Sequence, residues 1–265
     1  MSPPVETTVV WANGSFVDAP ATTPAIAPLD DGVLAGRGVF ETLAIRQGVA
    51  FAHRRHLDRL HTSARIIGIE FDRAVVDAGV DAVLSRWGRR SGRVRITVTA
   101  GGAVVVTAAV VVAVDPTAML VVAPWPRNER SPLVAAKTTA YLDNTLAFEF
   151  ARARGATDAL FLNTRGEVCE GSRTNVFAVI RGRLVTPPLS AGCLAGITRA
   201  LVLEYGAAGE ATIDLRALRE ADEVFLTSAL RGAQPVTTID GVAIGDAHPF
   251  ATRIARMLHE LNADA

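Results

Sequence analysis

Lys137 lies in the stretch AKTTAYLDN, among small and hydroxyl-bearing neighbours and just ahead of a predicted helix. The chemistry that this lysine serves depends on an acid further along the chain and on a group of loops that suit an anion. The acid is Glu170, which stands between Cys169 and Gly171 and is flanked by predicted strands. A buried carboxylate needs a cationic partner. That partner is either a structural arginine or lysine of the chain or the protonated ring nitrogen of a cofactor.

The segment GCLAGITRALVLE contains a candidate anion site. A glycine-containing loop ends at Gly196, and the pattern predicts a helix that begins at Ile197 and Thr198. The first backbone N–H groups of a helix have no partners inside the helix, so they suit an anion, and Thr198 adds a hydroxyl donor. An ordinary N-cap explains the same residues, and the segment alone leaves both interpretations open.

Two further positions can contribute to an anion site. Arg59, in the predicted helical motif HLDRL, lies at the edge of the apolar stripe, from which its guanidinium can reach a phosphate in bidentate fashion. A solvated arginine is the alternative interpretation. Thr227 and Ser228 end an apolar predicted strand and offer a third group of donors, although hydroxyls at such places are also common turn formers.

These residues together fit one cofactor. Pyridoxal phosphate needs a lysine for its Schiff base, an acid for its pyridinium nitrogen and an anion site for its phosphate. Lys137 and Glu170 supply the first two, and Tyr141 can donate to the phenolic oxygen of the cofactor. The anion site is supplied by Arg59, Ile197 and Thr198.

Composition and charge exclude several other classes of protein. Lys plus Arg and Asp plus Glu number 27 each, which argues against a nucleic-acid binder, and 49% apolar with 20% charged residues is a globular composition. The amino-terminal sequence has no signal-peptide pattern, and the longest apolar stretch, 108–114, is too short and too β-branched to span a membrane as a helix. Cys169 and Cys193 form no disulfide framework, and no Cys/His pair has the spacing of metal ligands. We therefore predict a soluble cytoplasmic protein without a metal site.

The predicted elements alternate between strands and helices. Hairpins are predicted at Asn13-Gly14, Gln47-Gly48 and Arg181-Gly182, with helices at 56–67, 72–89, 142–154, 197–206 and 249–261. A strand is predicted to run to Ala136 after the proline-rich stretch PWPRNERSP. That stretch has little to bury and predicts the domain boundary. The prediction is an α+β protein with an N-terminal domain over 1–123, a linker over 124–131 and a larger domain over 132–265 that carries Lys137.

The order of the motifs resembles that of the fold-type IV pyridoxal-phosphate enzymes. The segments are DDGVLAGRGVFETL, HLDRLHTSARIIGI, KTTAYLDNTLAFEFARARGATDALFLNTRGEVCEGSRTNVF, TPPLSAGCLAGITRALVLE and DEVFLTSALRGAQPV. They cover roughly residues 9–245. The family is that of the class IV aminotransferases, comprising branched-chain and D-amino-acid aminotransferases, and the related aminodeoxychorismate lyases. The resemblance implies a fold of D-amino-acid aminotransferase type, with two α+β domains and the cofactor between them.

The resemblance also implies roles for individual residues. Lys137 looks like the Schiff-base lysine that shuttles the proton at the substrate's Cα, and Glu170 matches the acid that keeps the pyridine nitrogen protonated. Asn175 matches the position that backs the ring. The phosphate cup is matched by Arg59, Ile197 and Thr198.

The chain departs from its relatives at three positions. Ala229 stands where relatives often have a hydroxyl, so that phosphate contact falls to Ser228 or to a backbone N–H. Ala100 replaces an arginine, and Phe40 replaces a tyrosine, that D-amino-acid aminotransferases favour, so both count against a D-amino-acid enzyme. Arg95 and Arg37 are candidates for recognition of a substrate anion, and an ion-paired or surface arginine is the alternative for each.

The predicted function is that of a pyridoxal-phosphate-dependent aminotransferase that acts on an amino acid and a 2-oxo acid. The alternative within the family is an aminodeoxychorismate lyase, because sequences of that lyase type share the motifs RGVFETL, KTT and FLTSALRG with this chain. A third interpretation is a catalytically inactive cofactor-binding protein or an interaction domain. It is weakened because Lys137, Glu170 and the segment Gly196-Ile197-Thr198 are all present. The resemblance further implies small-molecule substrates and a homodimer.

Overall fold

The computed structural model describes residues 8–17, 25–112, 114–245 and 247–261. The contacts divide this part of the chain into two compact units. The first holds the described residues up to 112 together with Ala136–Ala140, and the second holds Val114–Ala135 and Tyr141–Leu261. Each unit combines helices with a sheet, which confirms the predicted α+β class. No helix among the described residues is long and apolar enough to cross a membrane. Residues 1–7, which belong to the amino-terminal sequence that shows no signal-peptide pattern, lie outside the described ranges. The predicted second domain ends at 265, which also lies outside them.

The first unit is built on a six-stranded sheet with the order β2-β1-β6-β5-β3-β4. All strand pairs in this sheet are antiparallel. The strands are β1 (Thr8–Ala12), β2 (Ser15–Val17), β3 (Gly38–Arg46), β4 (Val49–Ala50), β5 (Gly92–Thr99) and β6 (Val104–Ala109). The helices are α1 (Asp31–Leu34), α2 (His53–Ile66) and α3 (Arg73–Trp87).

Alternation along β3 decides which side chains meet the helices. Val39, Leu43 and Ile45 enter the core that also contains Leu57 and Leu60 of α2. Successive strand residues point to opposite faces of a sheet, so the even-numbered residues of β3 lie on the other face. The face of β3 that packs against α2 is therefore apolar except at one position, which carries a glutamate.

The second unit is built on a nine-stranded sheet with the order β12-β11-β10-β13-β14-β7-β8-β9, and β15 pairs with β14. The strands are β7 (Ala118–Val122), β8 (Asp158–Leu162), β9 (Val168–Gly171), β10 (Asn175–Ile180), β11 (Arg183–Thr186), β12 (Gly209–Glu210), β13 (Glu223–Ser228), β14 (Gly232–Ile239) and β15 (Val242–Ala243). The helices are α4 (Leu142–Arg152), α5 (Ile197–Tyr205), α6 (Leu215–Arg219) and α7 (Pro249–Glu260), with a short 3-10 turn at Leu189–Ala191.

Two predicted features differ from the structure. The predicted strand before Ala136 is a series of turns, in which the Val134 N–H donates to the Ser131 carbonyl 3.2 Å away. The contact-defined units also differ from the predicted division at 124–131, because β7 pairs in parallel with β8 and β14 and so joins the second sheet. The predicted linker belongs to the second unit, whereas Lys137 and its immediate neighbours pack with the first.

Candidate active site

The backbone of Lys137 is fixed on both sides within the first unit. Its N–H donates to Ser63 Oγ on α2 at 3.0 Å, and its carbonyl accepts the Phe40 N–H of β3 at 3.0 Å. The ammonium nitrogen Nζ lies 4.4 Å from the centroid of the Phe40 ring. Strand and helix therefore both hold the segment that carries the lysine.

Phe40 also contacts the second cation that the sequence singled out. The guanidinium carbon of Arg95 lies 3.9 Å from the centroid of the same ring. Arg95 is on β5, which pairs with β3 so that Thr97 lies opposite Phe40. The structure thus brings Lys137, Phe40 and Arg95 together. Arg37 is separate from this group, because it is exposed and its guanidinium donates to Asp31 at 2.9 Å.

Arg59 is held by a carboxylate in the core of the first unit. Its Nε and Nη2 donate to the two oxygens of Glu41, each at 2.7 Å, and His56 Nδ1 lies 2.7 Å from Glu41 Oε2. Glu41 is 0% exposed and is the single charged residue on the α2-facing side of β3. Burial by itself raises the pKa of Glu41, but the charge of Arg59 and the hydrogen bonds from Arg59 and His56 outweigh it and hold that pKa far below its usual range.

His56 completes this group in its neutral form. Burial lowers the pKa of His56, and the positive charges of Arg59 and Lys137 act in the same direction against the opposing effect of Glu41. A neutral imidazole bonded to a carboxylate carries its proton on the bonded nitrogen, so Nδ1–H donates to Glu41.

Glu170 in the second unit has both a backbone donor and a cation. The Leu194 N–H donates to Glu170 Oε2 at 2.9 Å, and Arg127 Nη2 lies 3.1 Å from Oε1. Arg127 also donates to Asn144 of α4 at 3.0 Å. The cationic partner that the sequence required is therefore Arg127, from the stretch that was predicted to be a linker. A carboxylate has about four lone-pair positions, so this pairing is compatible with a further donor.

Leu194 connects Glu170 with the beginning of α5. Asn175 Nδ2 donates to the Leu194 carbonyl at 2.9 Å, so the two sequence-predicted residues hold opposite sides of one peptide segment. Gly196 follows as the N-cap residue of α5, which has no side-chain cap. A Cβ added at Gly196 would lie 2.0 Å from Asn175 Oδ1, so only glycine fits there. The structure brings Glu170, Asn175 and the Ile197–Thr198 end of α5 together.

Thr227 lies on the same side of the sheet as this helix end. It is directly opposite Asn175 in the antiparallel pairing of β10 and β13, and residues that are opposite each other share a face. The stacked rings of Phe177 and Phe225, 5.2 Å apart, show that this face is continuous. Thr227 is 1% exposed, and its hydroxyl has no hydrogen-bond partner among the described residues.

The hydroxyl of Ser228, proposed from the sequence as a phosphate contact, accepts the Arg231 N–H at 3.2 Å. Ala229 is half-buried in the turn that follows β13. Arg231 in turn donates to the buried carboxylate of Asp158 at 2.9 Å, which holds this turn against β8. Ser228 therefore stabilises the turn, and Thr227 is the hydroxyl that has no partner.

Tyr141 lies in the second unit and is the N-cap residue of α4. Its hydroxyl donates to the Ser172 carbonyl at 3.2 Å, which also accepts Asn144 Nδ2 at 2.7 Å. Burial raises the pKa of Tyr141, and the negative charge of Glu170 raises it further. The phenol is therefore protonated at neutral pH and can serve as a hydrogen-bond donor.

The donor set of the second unit fits a phosphorylated pyridine. A buried hydroxyl without a partner among the described residues and a helix beginning without a side-chain cap suit a phosphate ester. The buried carboxylate of Glu170 and the protonated phenol of Tyr141 suit a ring nitrogen and a ring hydroxyl. No cluster of three or more His, Cys, Asp or Glu that suits a metal ion occurs among the described residues.

The comparisons with known proteins agree with this chemistry. The family model of amino-transferase class IV matches residues 38–239. The branched-chain-amino-acid aminotransferase of Escherichia coli is 27% identical over 289 residues, which cover 92% of this chain and 90% of that protein. The bifunctional aminodeoxychorismate lyase / D-amino acid transaminase of Mycobacterium tuberculosis is 30% identical over 251 residues, covering 82% and 87%. The branched-chain aminotransferase of Thermoproteus uzoniensis, crystallised with norvaline, superposes with a TM-score of 0.84 at 30% identity over 95% and 93% of the two chains.

The chain therefore belongs to the amino-transferase class IV family and has the fold-type IV architecture. It is an enzyme, and its activity is the transfer of an amino group between an amino acid and a 2-oxo acid. Class IV aminotransferases are pyridoxal-phosphate enzymes.

Sequence reasoning missed Glu41, His56 and Arg127, which contact the candidate residues Arg59 and Glu170. Glu41 has a signal, because it occupies a core-facing position in the alternating strand Val39 to Ile45, where an unpaired charge is very costly. Arg127 has none, since it lies between prolines in a stretch that is typical of a linker.

Proposed function

We propose that this aminotransferase uses pyridoxal 5'-phosphate and that Lys137 is the residue that binds it covalently. The observation that carries the proposal is the arrangement at Leu194, where Glu170 and Asn175 fix the loop that leads into the uncapped start of α5. Lys137 supports it further, because it is the only lysine in the sequence. A chain that otherwise uses arginine for all its long cationic side chains keeps a primary amine at this one position.

The proposed roles are those that the family resemblance implies, and the contacts of each side chain are compatible with them. When bound, the cofactor supplies an electron sink for negative charge at the substrate's Cα. The Lys137 amine takes the proton from that carbon and returns it, and the bonds to Ser63 and Phe40 keep the lysine segment in place. Glu170, whose Oε1 pairs with Arg127, accepts from a protonated ring nitrogen. Tyr141 turns its hydroxyl from the Ser172 carbonyl to donate to the ring oxygen.

The phosphate ester of the cofactor needs several hydrogen-bond donors. We propose contacts from Arg59, from the Ile197 and Thr198 end of α5, and from Ser228 or the hydroxyl of its neighbour Thr227. The missing partner of Thr227 favours it over Ser228, which already accepts a backbone N–H. Asn175 backs the ring, as the resemblance implies.

The proposed substrates are branched-chain amino acids and their 2-oxo acids. The names of the Escherichia coli and Thermoproteus uzoniensis relatives support this class. Phe40 offers an apolar ring for a hydrocarbon side chain, and Arg95 beside that ring offers a cation for a carboxylate. Arg37 is a weaker candidate for binding the substrate carboxylate, because its charge is paired with Asp31 at the surface. Ala229 is proposed only as a small residue next to Ser228, in the turn that follows β13.

A second candidate function is an aminodeoxychorismate lyase. The specific observation that favours it is the Mycobacterium tuberculosis relative, whose name combines this activity with that of a D-amino acid transaminase. The same lysine and acid would serve a lyase, so these residues do not separate the two activities.

A spectrum of the purified protein is the first test. A lysine-linked cofactor gives a visible absorption band, and the Lys137→Ala variant is expected to lose it. Branched-chain amino acids should then convert the cofactor to its amine form, with the 2-oxo acid released. Pyruvate release from aminodeoxychorismate with the band retained would identify the lyase. A band and turnover that persist in Lys137→Ala would contradict the assignment of the lysine.

We further propose that the enzyme works as a cytoplasmic homodimer, as the family resemblance implies. Sedimentation equilibrium should then give a mass about twice the 27.9 kDa of one chain. A single-chain mass at micromolar concentration would refute the dimer, and cell fractionation tests the compartment.

A further inference from the structure

Glu41 is a charged residue on the face of β3 that packs into the apolar core. It stands on β3 between Val39 and Leu43, both 0% exposed, and it is itself 0% exposed. An apolar residue of similar size would complete the same core without a desolvation cost. Packing alone therefore does not explain why a carboxylate is present at this position, whereas its hydrogen bonds to Arg59 and His56 do.

Glu41 holds Arg59 in one defined orientation. The two bonds of 2.7 Å use the Nε and Nη2 edge of the guanidinium, so the plane of the group is fixed and its Nη1 side is directed away from Glu41. Arg59 itself remains 11% exposed at its side chain, so the guanidinium lies at the border of the core. An arginine has four side-chain torsions, and two parallel bonds to a rigid partner remove most of their freedom before any ligand binds.

His56 fixes Glu41 in turn. His56 and Arg59 are three residues apart on α2 and therefore lie on one face of that helix. His56 is 2% exposed, and its Nδ1–H donates to Glu41 Oε2 at 2.7 Å. The oxygen Oε2 thus bonds to both α2 side chains, whereas Oε1 bonds to Arg59. Strand β3 and helix α2 together determine where the guanidinium points.

We propose that Glu41 and His56 are positioning residues that pre-orient Arg59 for the phosphate ester of the cofactor. The inference rests on the proposed function, in which Arg59 is a phosphate ligand. Glu41 and His56 touch neither cofactor nor substrate and act only through Arg59. Their contribution is specific to ligands that carry a phosphate, because the other cofactor contacts do not depend on the orientation of Arg59.

The test compares apoprotein binding of pyridoxal phosphate with binding of pyridoxal, which lacks the phosphate. Glu41→Gln keeps the shape of the side chain and removes its charge. We expect it to raise the Kd for pyridoxal phosphate on the order of tenfold, the effect of losing one charge-assisted hydrogen bond. The Kd for pyridoxal should stay within about twofold of the wild-type value. A loss of affinity that is equal for both ligands, or no loss for either, overturns the proposal.

Two further variants keep the test decisive if Glu41→Gln does not fold. Glu41→Asp retains the charge but not the reach, and His56→Asn retains a donor near the position of Nδ1; each should show the same selective loss, with His56→Asn the milder. Asp30→Asn is the matched control, because Asp30 is also a buried carboxylate of the first unit and holds Thr99 and Gly101. It is expected to lower thermal stability without changing the ratio of the two Kd values.

Arg59→Lys separates failure of this inference from failure of the proposed function. If Arg59→Lys shows no selective loss for pyridoxal phosphate, Arg59 is not a phosphate ligand and the assignment in the proposed function is wrong. If Arg59→Lys shows the loss and the Glu41 and His56 variants do not, Arg59 binds phosphate without their help. Selective loss in all of them supports the positioning role.

Discussion

Thr227 is a hydroxyl that costs free energy in the folded protein as it stands. It is buried, it has no hydrogen-bond partner among the described residues, and a valine would have the same shape. Its neighbour across the sheet, Asn175, has its amide bonded to Leu194 at the start of α5. A residue that opposes stability and lies beside a helix beginning is best explained by a bound ligand that accepts its proton.

Thr227→Val should therefore separate stability from cofactor binding. We expect the apoprotein to be unchanged or up to about 1 kcal/mol more stable, because no hydrogen bond is lost. The affinity for pyridoxal phosphate should fall by about tenfold relative to that for pyridoxal. Thermal unfolding and ligand titration measure the two effects.

Thr186→Val is the matched control for that prediction. Thr186 is equally buried, but its hydroxyl donates to the Val176 carbonyl at 2.7 Å. Its loss should cost about 1–3 kcal/mol of stability and leave the ratio of the two affinities unchanged. A Thr227→Val apoprotein that is destabilised as much as Thr186→Val would show that the hydroxyl has a structural partner after all.

The residues that the sequence revealed and those that it hid differ in the range of their contacts. Lys137, Glu170 and Thr198 were proposed from the sequence because each lies in a local motif with its own turn or helix signal. Glu41 and Arg127 were missed because their roles depend on partners far along the chain, His56 and Arg59 for the one and Glu170 for the other. The alternation of β3 carries a signal only for the burial of Glu41, and not for the partners that it binds.

At the scale of elements, the start of α5 depends on a close approach of backbone to side chain. Gly196 has an ordinary extended conformation with φ of −65°, so its requirement for glycine is steric and not conformational. A methyl group there would overlap Asn175 Oδ1, the side chain that holds Leu194. Either the asparagine or the first turn of the helix would have to move.

Gly196→Ala should consequently destabilise the protein by about 1–3 kcal/mol, as overpacking of a well-packed region does. Removing the opposing side chain should relieve the overlap, so the double variant Gly196→Ala/Asn175→Ala should cost less than the sum of the single variants. Denaturant unfolding of the four proteins measures this coupling. Gly209→Ala is the control, because a Cβ at Gly209 meets no atom within 4 Å; additive costs would count against a clash at Gly196.

The elements that were predicted correctly are those with local signals. The hairpins at Asn13-Gly14 and Gln47-Gly48 form as β1–β2 and β3–β4, and the first residue of each turn has a positive φ of 50°. The N-cap Asp72 accepts from Ala74 N at 2.8 Å, as the start of α3 required. A local signal could not predict that β7 belongs to the nine-stranded sheet, because its parallel partner β14 lies more than a hundred residues later in the chain.

At the scale of the whole molecule, the single primary amine of the side chains allows the covalent part of cofactor binding to be separated from the ring and phosphate contacts. Lys137 is the only lysine among the residues counted as 27 Lys plus Arg, so no other side chain offers an amine to an aldehyde. Pyridoxine 5'-phosphate carries the same phosphate and ring without the aldehyde. The difference between the two ligands in their effect on unfolding therefore reports the covalent bond to Lys137, and the effect they share reports the ring and phosphate contacts.

Ligand linkage gives the size of these effects on thermal unfolding. At a free concentration of one hundred times its Kd, pyridoxal phosphate should stabilise the folded chain by about 2.7 kcal/mol, a rise in Tm of roughly 5–10 °C. Pyridoxine 5'-phosphate at the same concentration should give a smaller rise. In Lys137→Ala the two ligands should give equal rises that remain above zero, because phosphate and ring contacts persist. If pyridoxal phosphate still exceeds pyridoxine 5'-phosphate in that variant, the covalent bond does not form at Lys137, whereas no rise with either ligand would mean that the phosphate contacts proposed here contribute nothing without it.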